Sequence, residues 1–405
     1  MKKYNRIYAM ILVILMLASL TACSSHGTVA GDNQSWKNVW DFRTESAISD
    51  AGYYYFVNSS IWFADLQSGT AVPLCTKAGC AHNSSSCDVY IKTMDRVFFY
   101  GDSLYSIEKG NYGTTLYRRD ATGMARMKVA DLGTKYTKEE KVLSVKYFGC
   151  AGDYLYYSAE VSAMVYDEEI GGMTNANEVQ YISRVDLRTG KETYIFEDPV
   201  EAFYDVVDLL AVREDGFLFY HLNATDVRKD DAGFLDILNA DPVAVKYWNS
   251  STGEITTLLK TTRGDFTQGI CVTGGKICYT SMIKKDSGNW TYGASAYDLD
   301  TGKKELLFQG SGAFLGNGYL LRSVSGTTQR FVYDLAAGKE YPCDMFEGIA
   351  TLRLSSDKGA VLSINVLETG GRVTESRYYF VPREAMADGI QEADLLYLYA
   401  QKYSN

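Results

Sequence analysis

A short phrase returns six times along this chain: FADLQSG (63–69), RRDATG (118–123), RVDLRTGKE (184–192), YWNSSTGE (247–254), AYDLDTGKKE (296–305) and VYDLAAGKE (332–340). Each joins an apolar strand end to an Asp or Asn, with a Gly three or four residues later. That is the chemistry of a strand–turn–strand connection: the side-chain oxygen caps the turn and the Gly takes a positive φ. A second phrase precedes the first, as GDSLYSI, GDYLYYS, DGFLFYHL, GGKICYTS and GNGYLLRS. It reads as a tight Gly-containing turn followed by a strand of alternating aromatic and aliphatic residues. One repeat is therefore strand, tight turn, strand, variable loop, strand, Asp-Gly turn, strand. Seven such units begin near Ile48, Arg96, Val145, Val206, Gly269, Gly312 and Thr351.

Four-stranded units of this size bury their faces by stacking on one another. The expected fold is all-β: a single β-propeller, with seven four-stranded blades as the primary count and six or eight as alternatives. Two stacked β-sandwiches are the rival architecture. Composition agrees with either, since 32 Tyr and 36 Gly against 5 Pro suit half-buried pleated surfaces joined by turns. The phrase YDLDTGK resembles that of exported bacterial propellers of the TolB-like and lipoprotein kind, over about residues 45–382. The chain also looks similar to exported propeller lipoproteins of anaerobic Gram-positive bacteria. The resemblance implies a fold and a location outside the cytoplasm, and no chemistry. The propeller is assigned to residues 36–383. Its seventh unit, TLRLSSDKGAVLSINV and RVTESRYYFVP, supplies three strands and no Asp-Gly turn. Residues 36–42, in SWKNVWDF, are expected to add the fourth strand and close the ring. The tail 384–405 is helix-permissive and is expected on the outside.

The first residues read as an export signal. Lys2, Lys3 and Arg6 precede the apolar core IYAMILVILMLASL (7–20), which is short for a bilayer span and is followed by polar residues. The core ends in LTAC (20–23), which resembles the bacterial lipobox. That resemblance implies a signal peptide of residues 1–22, cleavage before Cys23, and a diacylglyceryl (palmitate-bearing) anchor on its thiol. Residues 23–35 would be a polar tether, and the body would sit on the extracytoplasmic face of the cell membrane. Removing 22 of 405 residues leaves 383, and losing three positive charges takes the formal net charge from −10 to −13. An acidic body repels phosphate backbones, so nucleic acid is not an expected partner. The expected partners are the membrane, through Cys23, and a protein or glycan ligand; the body is expected to be a monomer.

The stretch LCTKAGCAHNSSSC (74–87) sets three cysteines and a histidine in the loop leaving unit one. Cys75, Cys80, His82 and Cys87 form a donor set that zinc accepts in structural sites. Their spacing, C-x4-C-x-H-x4-C, shares only its last step with a zinc knuckle. An exported chain also meets oxidising conditions, so a disulfide among the same cysteines is the alternative. Beyond Cys23 seven cysteines remain, and an odd number cannot all pair within the chain. Cys271 and Cys278 face each other across a Gly-Gly turn and, with Cys150 and Cys343, are expected as buried thiols.

Catalytic motifs are scarce. Three histidines, one of them in the tether, leave little for His-based mechanisms, and neither a G-x-S-x-G elbow nor a phosphate loop is present. DLDTG (298–302) starts like a calcium loop but lacks the distal ligands, and it matches the ordinary repeat turn. Insertions at 159–179, 223–241 and 283–292 all fall between the second and third strands of their units, on the face that also receives the Cys/His loop. Long loops on one rim of a rigid scaffold make a binding surface. His221, Asp286, Trp290 and Tyr292 are its candidate contact residues. The expected function is binding or scaffolding at the cell envelope. The alternative is a glycan-active hydrolase or lyase with acidic residues converging in the propeller channel, and a third reading is a sensing partner of a transporter or kinase.

Overall fold

Wherever the structure describes the Asp/Asn–Gly phrase, it folds into one turn. Asp65, Asp186, Asn249, Asp298 and Asp334 each accept the backbone N–H three residues on through a side-chain oxygen, at 2.7–3.2 Å. Each carbonyl accepts the N–H of the Gly four residues on, at 2.8–2.9 Å. The five glycines have φ between 62° and 73°, the region that favours Gly. DLDTG is thus a turn like its siblings. The structure, a computed structural model, describes residues 36–403 except 40–45, 58, 76, 85, 88, 92–93, 111–112, 121–125, 137–140, 169–170, 201–205, 223–242, 262–269, 285–289, 310, 317–318, 324–329, 336, 344–349, 356–357, 368–371 and 389. Cys23, the signal peptide and the tether lie outside the described residues.

The strands form seven antiparallel sheets in which strand order follows chain order: a seven-bladed β-propeller. The inner strands are Ser46–Ile48, Met94–Tyr100, Lys141–Ala151, Val206–Arg213, Ile270–Thr273, Ser311–Gly316 and Ala350–Ser355. The core lies between blades. Phe98, Ile107 and Leu116 of blade two bury against Phe148, Tyr157 and Tyr181 of blade three. Tyr156 and Ile182 of blade three bury against Phe217, Phe219 and Trp248 of blade four. Each such side chain contributes about 1.5–3 kcal/mol of burial, so the repeat's aromatic alternation is what holds neighbouring blades together. Gly190 shows how close they come: a Cβ there would lie 2.1 Å from the Val129 carbonyl oxygen of blade two.

Two expectations about the ends are corrected. The fourth strand of blade seven is Leu396–Lys402, paired with Val373–Pro382 from Glu375↔Lys402 to Phe380↔Leu396. Among its described residues the tail is helical at Arg383–Asp388 and in a 3-10 turn, Glu392–Asp394. Its last part, LYLYAQK, has period two and reads as a strand. With blade seven complete, residues 36–42 are not its closing strand. Lys37 and Asn38 pair with Val212 and Ala211, on the free edge of blade four. Packing explains the choice: Trp36 meets Tyr247 edge-on at 6.0 Å, and the Arg213 guanidinium lies 4.4 Å from the Trp36 ring.

The free edge of an inner strand borders the central channel, and Lys37–Asn38 also touches the inner strands of blades three and five. The short strand Lys37–Asn38 is therefore inside the ring. It runs antiparallel to Val206–Arg213, so it enters from the face where the inner strands end, here called the turn face. Ser46, the next described residue after Val39, begins the inner strand of blade one at the opposite, loop face. The ring itself closes by side chains. Tyr399 of blade seven stacks on Tyr55 of blade one at 3.8 Å and on Tyr378 at 4.3 Å between centroids. Lys358 pairs with Asp50 at 3.2 Å across the same seam.

The insertion at 159–179 is a hairpin arm, in which Tyr154–Asp167 and Gly172–Asp186 stay paired out to Asp167↔Gly172 with a register shift at Val161/Ser162, and it exposes Val165 and Tyr166. The insertion at 223–241 lies outside the described residues, as does Asp286. Among the described residues no helix is long and apolar enough to cross a membrane.

Candidate functional site

The Cys/His stretch begins where the outer strand of blade one, Ala71–Pro73, ends. Its first residues stay tied to the third strand, Ser60–Asp65: the Leu74 N–H donates to the Ile61 carbonyl at 3.0 Å. The far end returns to the same place, with the Ile61 N–H donating to the Val89 carbonyl at 3.3 Å and the Ile91 N–H to the Ser59 carbonyl at 2.9 Å. Val89 and Ile91 are buried with Tyr54, Ile61, Val97 and Leu104 between blades one and two. The loop thus has an apolar foot, and only its middle lacks one. That middle folds back through two turns, closed by the Cys80 N–H on the Lys77 carbonyl at 3.2 Å and the Cys87 N–H on the Ser84 carbonyl at 3.0 Å. Lys77 Nζ donates to the Ser86 carbonyl at 2.8 Å.

The folding brings all four expected ligands together. One donor atom from each of Cys75, Cys80, His82 and Cys87 lies within 4.8 Å of the others. His82 Nδ1 is 3.5 Å from Cys87 Sγ. Sulfurs bound to one tetrahedral zinc at about 2.3 Å would sit about 3.8 Å apart, so the set needs to contract by about 1 Å to close on an ion. His82 is held at φ 55°, a conformation that costs a residue with a Cβ about 1 kcal/mol or more. Its carbonyl accepts the Ser60 hydroxyl at 2.6 Å, which fixes this kink and places the ring among the thiols.

The thiols are not equivalent. The His82 backbone N–H, helped by Cys87, Cys75 and Lys77, holds the Cys80 thiol below the usual range. Burial pushes Cys87 up to about 11, and the neighbouring cysteines add to it. A cation in their midst favours all three thiolates. These cysteines carry free thiols, as do the buried Cys150, Cys271 and Cys278, and Cys343 is buried as well. Cys271 and Cys278 are direct cross-strand partners.

The candidate contact residues are scattered. His221 lies near the end of the second strand of blade four, Gly216–Leu222, with Nε2 2.7 Å from Asp198 Oδ2 and Nδ1 2.7 Å from Lys246 Nζ. Trp290 and Tyr292 open the third strand of blade five, Trp290–Asp298. Asp198 and Lys246 were not among the residues expected from the sequence, and neither acid of a pair between blades three and four, Glu160 and Asp208, was named from it. There Lys146 Nζ lies 3.2 Å from Glu160 Oε2. Beside them burial pushes Asp208 up to about 7, with Lys146 opposing and Glu160 adding. The available signal was a charge interrupting an apolar run: VVDLLAV for Asp208, VAVKYW for Lys246.

No protein-family model matches this chain, and no curated protein is similar to it. Among solved structures, an oligogalacturonate lyase in complex with manganese superposes with a TM-score of 0.54 at 12% identity, over 88% of this chain and 98% of that one. Acylaminoacyl peptidase of Pyrococcus horikoshii does so with a TM-score of 0.51 at 10% identity, over 93% of this chain and 53% of that one. The chain thus spans about half the length of that peptidase. TolB from Acinetobacter baumannii fits at 12% identity with a TM-score of 0.34, too loose a match to carry an argument. At such identities the likeness to the lyase and the peptidase shows the β-propeller fold, and the fold alone.

Proposed function

We propose that this chain is a lipid-anchored, extracytoplasmic propeller that binds a protein or glycan on its loop face, with zinc at Cys75, Cys80, His82 and Cys87 stapling that face. The observation that carries the reading is the convergence of three thiols and an imidazole within 4.8 Å in a loop between blades one and two. Three soft sulfur donors with one imidazole favour zinc over hard cations, and four protein ligands leave no open position, which marks a structural role. The N-terminal path supports the orientation. Twelve residues separate Cys23 from Trp36, a reach of at most about 45 Å over the thirteen steps between them, and Lys37–Asn38 runs into the ring from the turn face. A membrane anchor at Cys23 would sit below that face and leave the loop face pointing outward.

The test is native mass spectrometry of the body from Ser24 onward, purified anaerobically, with a parallel thiol count. One bound zinc, lost in Cys80→Ala, is expected. A metal-free protein lacking two hydrogens would replace the staple with a disulfide. A second reading, a glycan-active hydrolase or lyase, is favoured by Asp208, a carboxyl raised by burial to about 7 beside the lysine-bound Glu160. It predicts new reducing or unsaturated ends from an envelope glycan, abolished in Asp208→Asn. Glycan-array binding without turnover would decide for the first reading.

A further inference from the structure

The register of blade four assembles a group that neither the metal centre nor the Glu160 and Asp208 pair uses. Val207, His221 and Ala244 lie side by side across its first three strands, and Lys260 lies opposite Ala244 on the fourth. Alternate strand residues share a face, so Lys246 points the same way as Ala244, His221 and Lys260. Asp198, from the outer strand of blade three, meets them there, with the imidazole 15% and the carboxylate 22% exposed. An ammonium can only donate, so Lys246 donates to His221 Nδ1, and Nε2 carries the hydrogen that Asp198 accepts. Among the described residues no carboxylate lies within ion-pair distance of Lys246. Its other neighbours are the rings of Phe196 and Phe219, at 5.5 and 6.0 Å. Burial lowers the hold of Lys246 on its proton; Asp198 opposes this and Lys260 adds to it. Passing that proton to His221 leaves an uncharged amine against aromatic rings and an imidazolium facing a carboxylate. Nucleophile, base and orienting group are thus each within hydrogen-bonding reach of the next.

We propose that Lys246 is a nucleophile that captures an aldehyde or ketone bearing a carboxylate, with His221 as its base and Lys260 as the counter-charge. Lys246 gives a proton to His221 Nδ1, and the free amine adds to the carbonyl carbon, one proton passing from nitrogen to oxygen to form the carbinolamine. Its hydroxyl takes the other proton back from His221 and leaves as water as the C–O bond breaks, giving a protonated imine; nothing is oxidised or reduced. Asp198 is a positioning residue, acting through His221. This inference is independent of both the zinc staple and the envelope anchor.

The experiment uses the full chain with pyruvate and cyanoborohydride at neutral pH, followed by peptide mapping of the reduced adducts. Lys246 is expected to react at least about tenfold faster than the exposed Lys303, a modest factor for an amine with a general base within hydrogen-bonding reach. His221→Asn is expected to slow Lys246 about tenfold at an unchanged melting temperature, since it removes the base. Asp198→Asn should displace the pH–rate profile of Lys246 labelling and leave labelling intact. Lys260→Met should erase a preference for pyruvate over acetone. Labelling of Lys246 in the native protein no faster than Lys303 would overturn the proposal, even if a variant failed to fold. Equal rates with pyruvate and acetone in the native protein would remove the carboxylate from it.

Discussion

Asp208 is ionised in the unfolded chain and largely protonated in the folded one, because burial raises its carboxyl from 3.8 to about 7. The folded state therefore binds more protons through that window, and stability falls as pH rises from about 4 to about 7. Asp208→Asn removes the penalty. Its carboxyl keeps some exposure, so a gain of about 2 kcal/mol is expected at pH 8 and none at pH 3.5, read by urea unfolding at both. A gain equal at both pH values would mean that packing, and not charge, is responsible. At the metal centre, a chelator should lower the melting temperature of the native protein by about 5 °C or more and leave Cys80→Ala unmoved. The four ligands were legible because thirteen residues contain them all. The Asp198–His221–Lys246 group was not, since its members come from two blades and meet only through strand register.

Among the elements, the turn glycines act at a distance from their own hairpins. Gly190 at φ 73° sits against the Val129 carbonyl of the preceding blade, so Gly190→Ala strains a turn and wedges two blades apart. A loss of about 3 kcal/mol is expected in chemical denaturation, against about 1–2 for Gly253→Ala, which strains the same φ but has open space around it. Blade seven departs from the others because Arg383–Asp388 interrupts it where its siblings have the Asp-Gly turn. That is why its outer strand was read as a helical tail while the inner strands of all seven blades could be placed from the repeat. Ending the chain at residue 395 should expose the edge of Val373–Pro382 and remove Tyr399 from the seam. Aggregation is the expected result, visible by light scattering. Retained monomer with the native melting temperature would show that the last strand is dispensable.

For the molecule as a whole, among the described residues no strand is shared between the first and last blades. Closure rests on side chains: the Tyr55–Tyr399–Tyr378 stack, the Lys358–Asp50 ion pair and an apolar cluster that joins Tyr53 and Ala64 to Val361, Phe380 and Leu398. Tyr399→Ala should cost about 3 kcal/mol, concentrated at the seam, so hydrogen exchange in blades one and seven should quicken before that in blades three and four. Exchange rising equally in all blades would refute a local seam. The fold class was readable because a repeat announces itself many times over; the thread through the ring was not, because SWKNVWDF occurs once and has strand character without an address. That thread decides how the body bears load. Tension on the N-terminus is delivered along the hub, on the two residues laid against blade four, rather than at the rim where blade one could be peeled from its neighbour. The ring would hang from its own axle, and a pull applied at Trp36 would slide a short strand in shear before it opened a single blade.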